Sequence, residues 1–256
     1  MDIAVVNFEE RPDLYDSQEA ICGRAFPVFL YYSETAAAYW EKMIRYYREY
    51  QLMLLCKDNI AAVVNCMPLN LDIPEENLPH EAFEWGFQKG IADYESGKAV
   101  NAVLGVQIVV PEAFKNKGLS TLAILALKEM CAEKGIETIL IPVRPTLKSK
   151  YPLIDMDEYR RWTRSDGLPF DPWLRVHVRS QARVGRVCEK AVEIKGTVEQ
   201  WETWTKMAFP QSGDYVVEGA LCPVAIDKEK NLGTYVEPNI WVIYHPQSHN
   251  RSNNEQ

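Results

Sequence analysis

Several patterns that would assign a chemistry at once are missing from this chain. Its six cysteines, at 22, 56, 66, 131, 188 and 222, form no Cys-x-x-Cys pair, and several lie in apolar runs such as LMLLCKD. Free thiols in a reducing compartment are expected, rather than disulfides or zinc. The four histidines, at 80, 177, 245 and 249, lack His-Glu-x-x-His or similar ligand spacing, so no metal is expected. No Gly-x-Gly-x-x-Gly follows a strand, which disfavours a Rossmann dehydrogenase. Gly-x-x-x-x-Gly-Lys-Ser/Thr is absent too, which excludes a P-loop NTPase. No apolar stretch reaches the roughly 20 residues of a membrane helix, and the start, MDIAVVNFEERPD, lacks a signal-peptide pattern. The expected location is therefore cytoplasmic, with no membrane partner. Positive charge is also short. With 28 Lys and Arg against 36 Asp and Glu the net charge is -8, which argues against a nucleic-acid partner but allows a local basic pocket. No repeat occurs at solenoid or propeller periods.

What is present fits a globular enzyme. The 256 residues, 47% hydrophobic and 25% charged, suffice to bury a core without covalent staples. A single domain is expected over residues 1–246. The tail 247–256, QSHNRSNNEQ, is polar throughout and expected to be disordered.

Periodicity and capping signals supply the elements. Residues 13–31 read as helix, ending or broken near Pro27. Ser33 and Glu34 open a second helix whose Tyr39, Met43, Tyr46 and Tyr50 recur at helical spacing. Two strands, 51–57 and 60–67, meet at Asp58-Asn59, read as the tight turn. Residues 69–97 read as an insertion at the sheet edge carrying one helix, HEAFEWGFQKGIADYES. Ala102–Val110 is nearly all apolar, as in a strand covered on both faces. After Pro111 and a short turn, a helix runs from Leu119 to Lys134 and ends at Gly135; the strand ETILIPV follows. This βαβ unit contains an anomaly, Pro142, which cannot donate to a ladder, so one side of that strand must be unpaired there. Asp171-Pro172 opens the helix of WLRVHVRSQ. Strand-like segments at 183–195, 215–226 and 235–245, with the helix VEQWETWTK, complete the pattern.

The turn PEAFKNKGLSTL carries the chemistry. Backbone N–H groups at a helix start lack intrahelical partners and, with the helix dipole, attract an anion. Gly118 lets the main chain approach a phosphate, Ser120 and Thr121 add hydroxyls, and Lys115 and Lys117 add charge. The run Ile108-Val-Val-Pro-Glu-Ala-Phe-Lys-Asn-Lys-Gly-Leu-Ser120 resembles the central motif of the GNAT N-acetyltransferase superfamily, Arg/Gln-x-x-Gly-x-Gly/Ala after a hydrophobic strand. Lys115 stands where Arg or Gln is usual, and Ser120 replaces the small Gly or Ala. The order of elements from about residue 10 to 245 is similar to the family's.

The resemblance implies an α/β (α+β) fold with a mixed, splayed β-sheet flanked by helices. An insertion would precede the central strand, and a long connection, YPLIDMDEYRRWTRSDGLPFDPW, the last helix of the family core. It implies acetyl-CoA or another acyl-CoA as co-substrate. The pyrophosphate would sit on Lys115, Asn116, Lys117, Gly118, Leu119, Ser120 and Thr121, and the pantetheine along the main chain of Ile108, Val109 and Val110. The implied reaction is direct acyl transfer, in a ternary complex, to an amine of a small molecule.

His177 falls where many family members carry a tyrosine that protonates the leaving thiolate; the Gly-Phe pair that follows it in the family is absent. Glu237, in YVEPNIW, is the candidate general base, with Tyr159 and Asp155 in the long connection as further candidates. Phe26, Tyr31, Tyr32, Trp40 and Trp85 read as core, and Arg144, Lys148 and Lys150 as a solvated loop. Two alternatives stay open. One is a GNAT-like enzyme acting on thioesters of CoA or a carrier protein, by decarboxylation or S-acyl transfer. The other is a non-catalytic CoA-binding module. Homodimerisation is open as well.

Overall fold

A computed structural model describes residues 2–246; the tail expected to be disordered lies outside the described residues. In chain order the elements are β1 (Ala4–Asn7), α1 (Tyr15–Cys22), α2 (Glu34–Tyr46), β2 (Leu52–Cys56), β3 (Asn59–Leu69), α3 (Ala82–Glu95) and β4 (Ala102–Val109). There follow α4 (Leu119–Glu133), β5 (Thr138–Val143), α5 (Met156–Tyr159), α6 (Pro172–Arg179), β6 (Arg183–Gly196), α7 (Val198–Thr205), β7 (Gly213–Tyr215), β8 (Val224–Asp227) and β9 (Leu232–Tyr244).

The capping residues act locally, as expected. Ser33 accepts from the Ala36 N–H to start α2, and Asp171 accepts from Trp173 and Leu174 to start α6. Residues 13–31 differ: α1 stops at Cys22, and only a 3-10 turn over Val28–Tyr32 follows Pro27. The β2–β3 turn also sits one residue earlier than read. Its positive φ of 55° falls on Lys57, and Asn59 already belongs to β3.

One mixed nine-stranded sheet runs β1-β2-β3-β4-β5-β9-β8-β7, with β6 paired to β9. Only β4 and β5 are parallel, and they pair through just three residues, ending at Leu104↔Leu140. Beyond that point β5 continues alongside β9, where Pro142 faces Trp241, while β4 stays with β3. The missing N–H of Pro142 therefore falls where β5 has a partner on one side only, and the sheet opens between β4 and β5.

The insertion is not at the sheet edge. Helix α3 packs on α2 and lies across β3 and β6. Its glycines explain the close approach: a Cβ on Gly86 would come within 2.3 Å of Leu104, and one on Gly90 within 2.4 Å of Met67. Helix α4 buries Ala123, Ile124, Leu127, Met130 and Cys131 at helical spacing against the sheet. Each large side chain so buried contributes about 1.5–3 kcal/mol. Smaller clusters flank this core, one around Trp201, Trp204 and Tyr235, another around Phe8, Met53 and Val63. All six cysteines are free, and no helix among the described residues is long and apolar enough to cross a membrane.

The long connection folds into an aromatic cluster of Tyr151, Tyr159, Trp162 and Phe170. Asp171 ties it down. Its Oδ2 accepts from the Leu147 N–H at 2.8 Å and the Tyr159 hydroxyl at 2.9 Å, while Oδ1 caps α6. Asp171→Ala is expected to lower stability by about 3 kcal/mol, combining a lost cap with buried donors left unpaired. Thermal denaturation should record a fall in Tm of roughly 6–12 °C.

Candidate active site

The β4–β5 opening leads into a cleft of ≈ 810 Å³. It is bordered by β4 from Gly105 to Val110, by Lys115 and Ser120, and by β5 from Ile141 to Val143. Phe26, Ser33 and Trp40 from the N-terminal region, Arg144, and Glu237 and Asn239 of β9 border it as well. Strand β4 carries a bulge here. Asn65 faces Gln107 and Cys66 faces Gly105, so Val106 is the extra residue. From Gly105 onward β4 has no ladder partner on its β5 side, leaving main chain of Ile108 to Val110 available along the gap.

At the mouth of α4 the main chain turns sharply. Asn116 and Gly118 are left-handed, at φ 60° and 77°. The N–H groups of residues 116–120 have no hydrogen-bond partner among the described residues. The Thr121 N–H is already bonded to the Gly118 carbonyl at 3.1 Å and is not among them. Side chains contribute less than the motif suggested. Leu119 is buried in the core, and Lys117 folds back so that its Nζ donates to the Ala113 carbonyl at 2.8 Å. Of Lys115–Thr121, only Lys115 and Ser120 border the cleft, and the Lys115 ammonium is paired with the Glu112 carboxylate. The free donors here are thus largely main chain, at the positive end of a 15-residue helix.

Glu237 borders the cleft, its side chain 1% exposed. Arg144 Nε donates to both its oxygens at 3.0 and 3.1 Å, and the Tyr235 hydroxyl donates to Oε2 at 2.6 Å. Arg144 also donates to the Gly219 carbonyl. Arg144 is therefore not part of a solvated loop. Burial opposes its charge, and the Glu237 carboxylate more than compensates, so its pKa is raised. Lys148 is not solvated either: it is 1% exposed and donates to the Tyr151 and Leu221 carbonyls at 2.9 and 2.6 Å. Burial pushes its pKa down.

The geometry does not bring His177 to the cleft. Trp173, in the first turn of α6, borders the cleft, and His177 lies one turn deeper at 0% exposure. Its Nδ1 meets the Tyr244 hydroxyl at 2.6 Å, and its Nε2 has no partner among the described residues. Burial pushes its pKa down to about 3, so the ring is neutral near pH 7 and holds no extra proton for a leaving thiolate. The pH dependence of stability follows. An unfolded histidine, near pH 6.5, takes up a proton that the folded one refuses until about pH 3. This group therefore lowers stability as pH falls from 6.5 to 3, by up to about 1.4 kcal/mol per pH unit. Denaturant titrations of His177→Phe across that range should show a flatter profile than the unmodified chain.

Tyr159 and Asp155 do not border the cleft; the first bonds Asp171, and the second caps α5 through the Asp157 and Glu158 N–H groups. Among the aromatics read as core, Phe26 and Trp40 border the cleft, Tyr31 and Tyr32 are exposed, and Trp85 packs on Trp241. Arg144, Gln107, Trp173 and Asn239 were missed as cleft residues. No local pattern marks them, because each reaches the cleft through tertiary packing.

The parallel pair that splays apart, the bulge in β4 and the free N–H groups at the mouth of α4 belong to a fold that this chain shares with solved GNAT-type structures. No family model matches the chain. It is 28% identical over 265 residues to the arginine N-acetyltransferase avaD of Aspergillus versicolor, covering 91% of each chain. Among solved structures it resembles the loading GNATL domain of CurA from Lyngbya majuscula, with TM-score 0.56 and 16% identity over 96% of this chain and 99% of that one. It is also similar to the GNAT-like decarboxylase GphF solved with isobutyryl-CoA, with TM-score 0.57 and 15% identity over 96% and 100%. At such identities these structures speak for the fold.

Proposed function

We propose that the chain transfers an acetyl or other acyl group from acyl-CoA to a primary amine of a small molecule, with an arginine-like amino acid as the first acceptor to try. The observation that carries this reading is the unpartnered N–H fan of residues 116–120 beside the β4–β5 gap, both at the cleft that contains Glu237. The fan suits a diphosphate, and the gap suits a narrow thiol-bearing arm. The avaD relative acts on arginine by its name and supports an amine acceptor.

In this reading the amine nitrogen attacks the thioester carbonyl and the C–S bond breaks. A cationic amine loses two protons, one before it attacks and one as the amide forms; the departing CoA thiolate gains one and the other passes to solvent. Main-chain groups of β4 along the gap hold the carbonyl as charge develops on its oxygen. Glu237 supplies a carboxylate on the cleft wall that orients the amine and takes up a proton from it. Its oxygens already accept from Arg144 and Tyr235, and the Arg144 guanidinium offsets most of its charge, so the pair presents a local dipole to the amine.

The test is incubation with acetyl-CoA and L-arginine, L-lysine or a simple alkylamine. Released CoA thiol and the mass of the amine product are followed together. An amine heavier by one acetyl group, in step with thiol release, is the expected result. Thiol release with no acylated amine, or no consumption of acetyl-CoA across the panel, would overturn the proposal.

A further inference from the structure

A chain of buried amides runs from the body of the sheet to the cleft, and its polarity can be assigned. Just before β2 begins, the side chain of Gln51 replaces a ladder partner for Cys66. Its Oε1 accepts the Cys66 N–H at 3.1 Å, and its Nε2 donates to the Cys66 and Tyr47 carbonyls at 2.8 and 2.9 Å. A backbone N–H can only donate, so the orientation of Gln51 is determined without ambiguity. Gln51 Oε1 also accepts from Asn65 Nδ2 at 3.1 Å, which makes Asn65 Oδ1 the free acceptor. That oxygen accepts from Gln107 Nε2 at 2.7 Å. Gln51 and Asn65 are both 0% exposed, so water does not compete along the relay.

The relay ends on one atom. With its amide nitrogen committed to Asn65, Gln107 has Oε1 left over, without a partner among the described residues and not sealed from solvent. Gln107 borders the cleft, and the β4 bulge places it directly across from Asn65, so the two side chains share a face. A glutamine on a cleft wall could ordinarily turn either end inward. Here the interior of the sheet engages the amide nitrogen, which leaves the carbonyl oxygen, an acceptor, as the uncommitted end.

We propose that Gln107 is a specificity-determining residue whose Oε1 accepts an N–H from the incoming amine, and that Asn65 and Gln51 are positioning residues that hold its amide in this orientation. The inference rests on the acyl-transfer reading and adds to it the side chain that selects an N–H donor as acceptor. An N–H bearing nucleophile would meet a complementary atom there. A carboxylate or ether oxygen at that point would meet a second acceptor and lose its hydration without compensation.

The test uses the full chain with acetyl-CoA and L-arginine or L-lysine, comparing Gln107→Leu, Asn65→Leu and the unmodified protein by KM for each substrate and by Tm. Gln107→Leu removes the oxygen and is expected to raise the amine KM about tenfold, as for a lost hydrogen bond to a charged group, with the acetyl-CoA KM within about twofold. Asn65 does not border the cleft, so Asn65→Leu can affect the amine only by freeing the Gln107 amide to turn. Its expected effect is a rise of about threefold in amine KM, again without change in acetyl-CoA KM. A purely structural role would lower Tm and leave the ratio of the two KM values unmoved. Unchanged amine KM in Gln107→Leu, with transfer intact, overturns the inference while leaving the acyl-transfer reading standing. No transfer to either amine by the unmodified chain overturns that reading, and the role of Gln107 with it.

Discussion

Gly118→Val is expected to weaken binding of acetyl-CoA about a hundredfold or more while the protein stays folded. Gly118 sits at φ 77°, a region that a β-branched residue enters only with strain of about 1–3 kcal/mol. A Cβ at this position would meet no protein atom within 4 Å, so no packing clash is involved. The substitution instead pulls the backbone out of the left-handed conformation that turns the N–H groups of residues 116–120 outward together. It also fills space the anion would occupy. Hydrogen bonds to a charged group contribute about 1.5–3 kcal/mol each, so losing one or two accounts for the predicted factor. Calorimetric titration with acetyl-CoA reads the affinity, and thermal denaturation confirms folding. Affinity within about threefold of the unmodified protein would remove these N–H groups from the proposed mechanism.

Arg144→Met should be the most destabilising of these changes, by about 3–5 kcal/mol, because it leaves a buried carboxylate without its counter-ion. Glu237 is 1% exposed, and Arg144 is its only ion-pair partner among the described residues. The Tyr235 hydroxyl, itself buried, cannot neutralise the charge. The double change Arg144→Met with Glu237→Leu removes the charge altogether and is expected to recover most of the loss. Urea unfolding of the two single variants and the double completes the cycle. Under the proposed acyl transfer, activity should not return with stability, since the cleft wall has lost its Glu237 carboxylate. A stable Arg144→Met variant would mean that the pair is solvated and that Glu237 is not the buried charge described above.

The parts that were legible in the sequence share one property: their cause is local. Ser33, Asp171-Pro172 and Gly118 act within a turn of their own positions, through caps and one left-handed residue. The splay of the sheet was legible too, because the missing N–H of Pro142 is a property of that residue alone, and it required an unpaired side wherever the strand was placed. Long-range pairing was not legible. Arg144 and Glu237 lie 93 residues apart, and nothing in VRPTLKSK shows that a carboxylate from the last strand will face its first arginine. His177 shows the converse. Its position in the chain is close to that of a family proton donor, but helix α6 meets the cleft through Trp173, so the histidine one turn later is buried behind it. The insertion was misplaced for a related reason. Gly86 and Gly90 can be counted in a sequence, but their use as a contact surface depends on Leu104 and Met67 lying beneath them.

By itself, then, the sequence determined where the chain turns, which helix opens with free N–H groups, and where two parallel strands must part, because each of these follows from the bonding capacity of residues a few positions apart. Only the tertiary structure decided which side chains meet in the cleft: that Glu237 comes with a buried arginine, that His177 does not reach it, and that Gln107 presents an oxygen. Those outcomes depend on desolvation and on partners brought together from distant strands, and neither exists until the sheet has assembled.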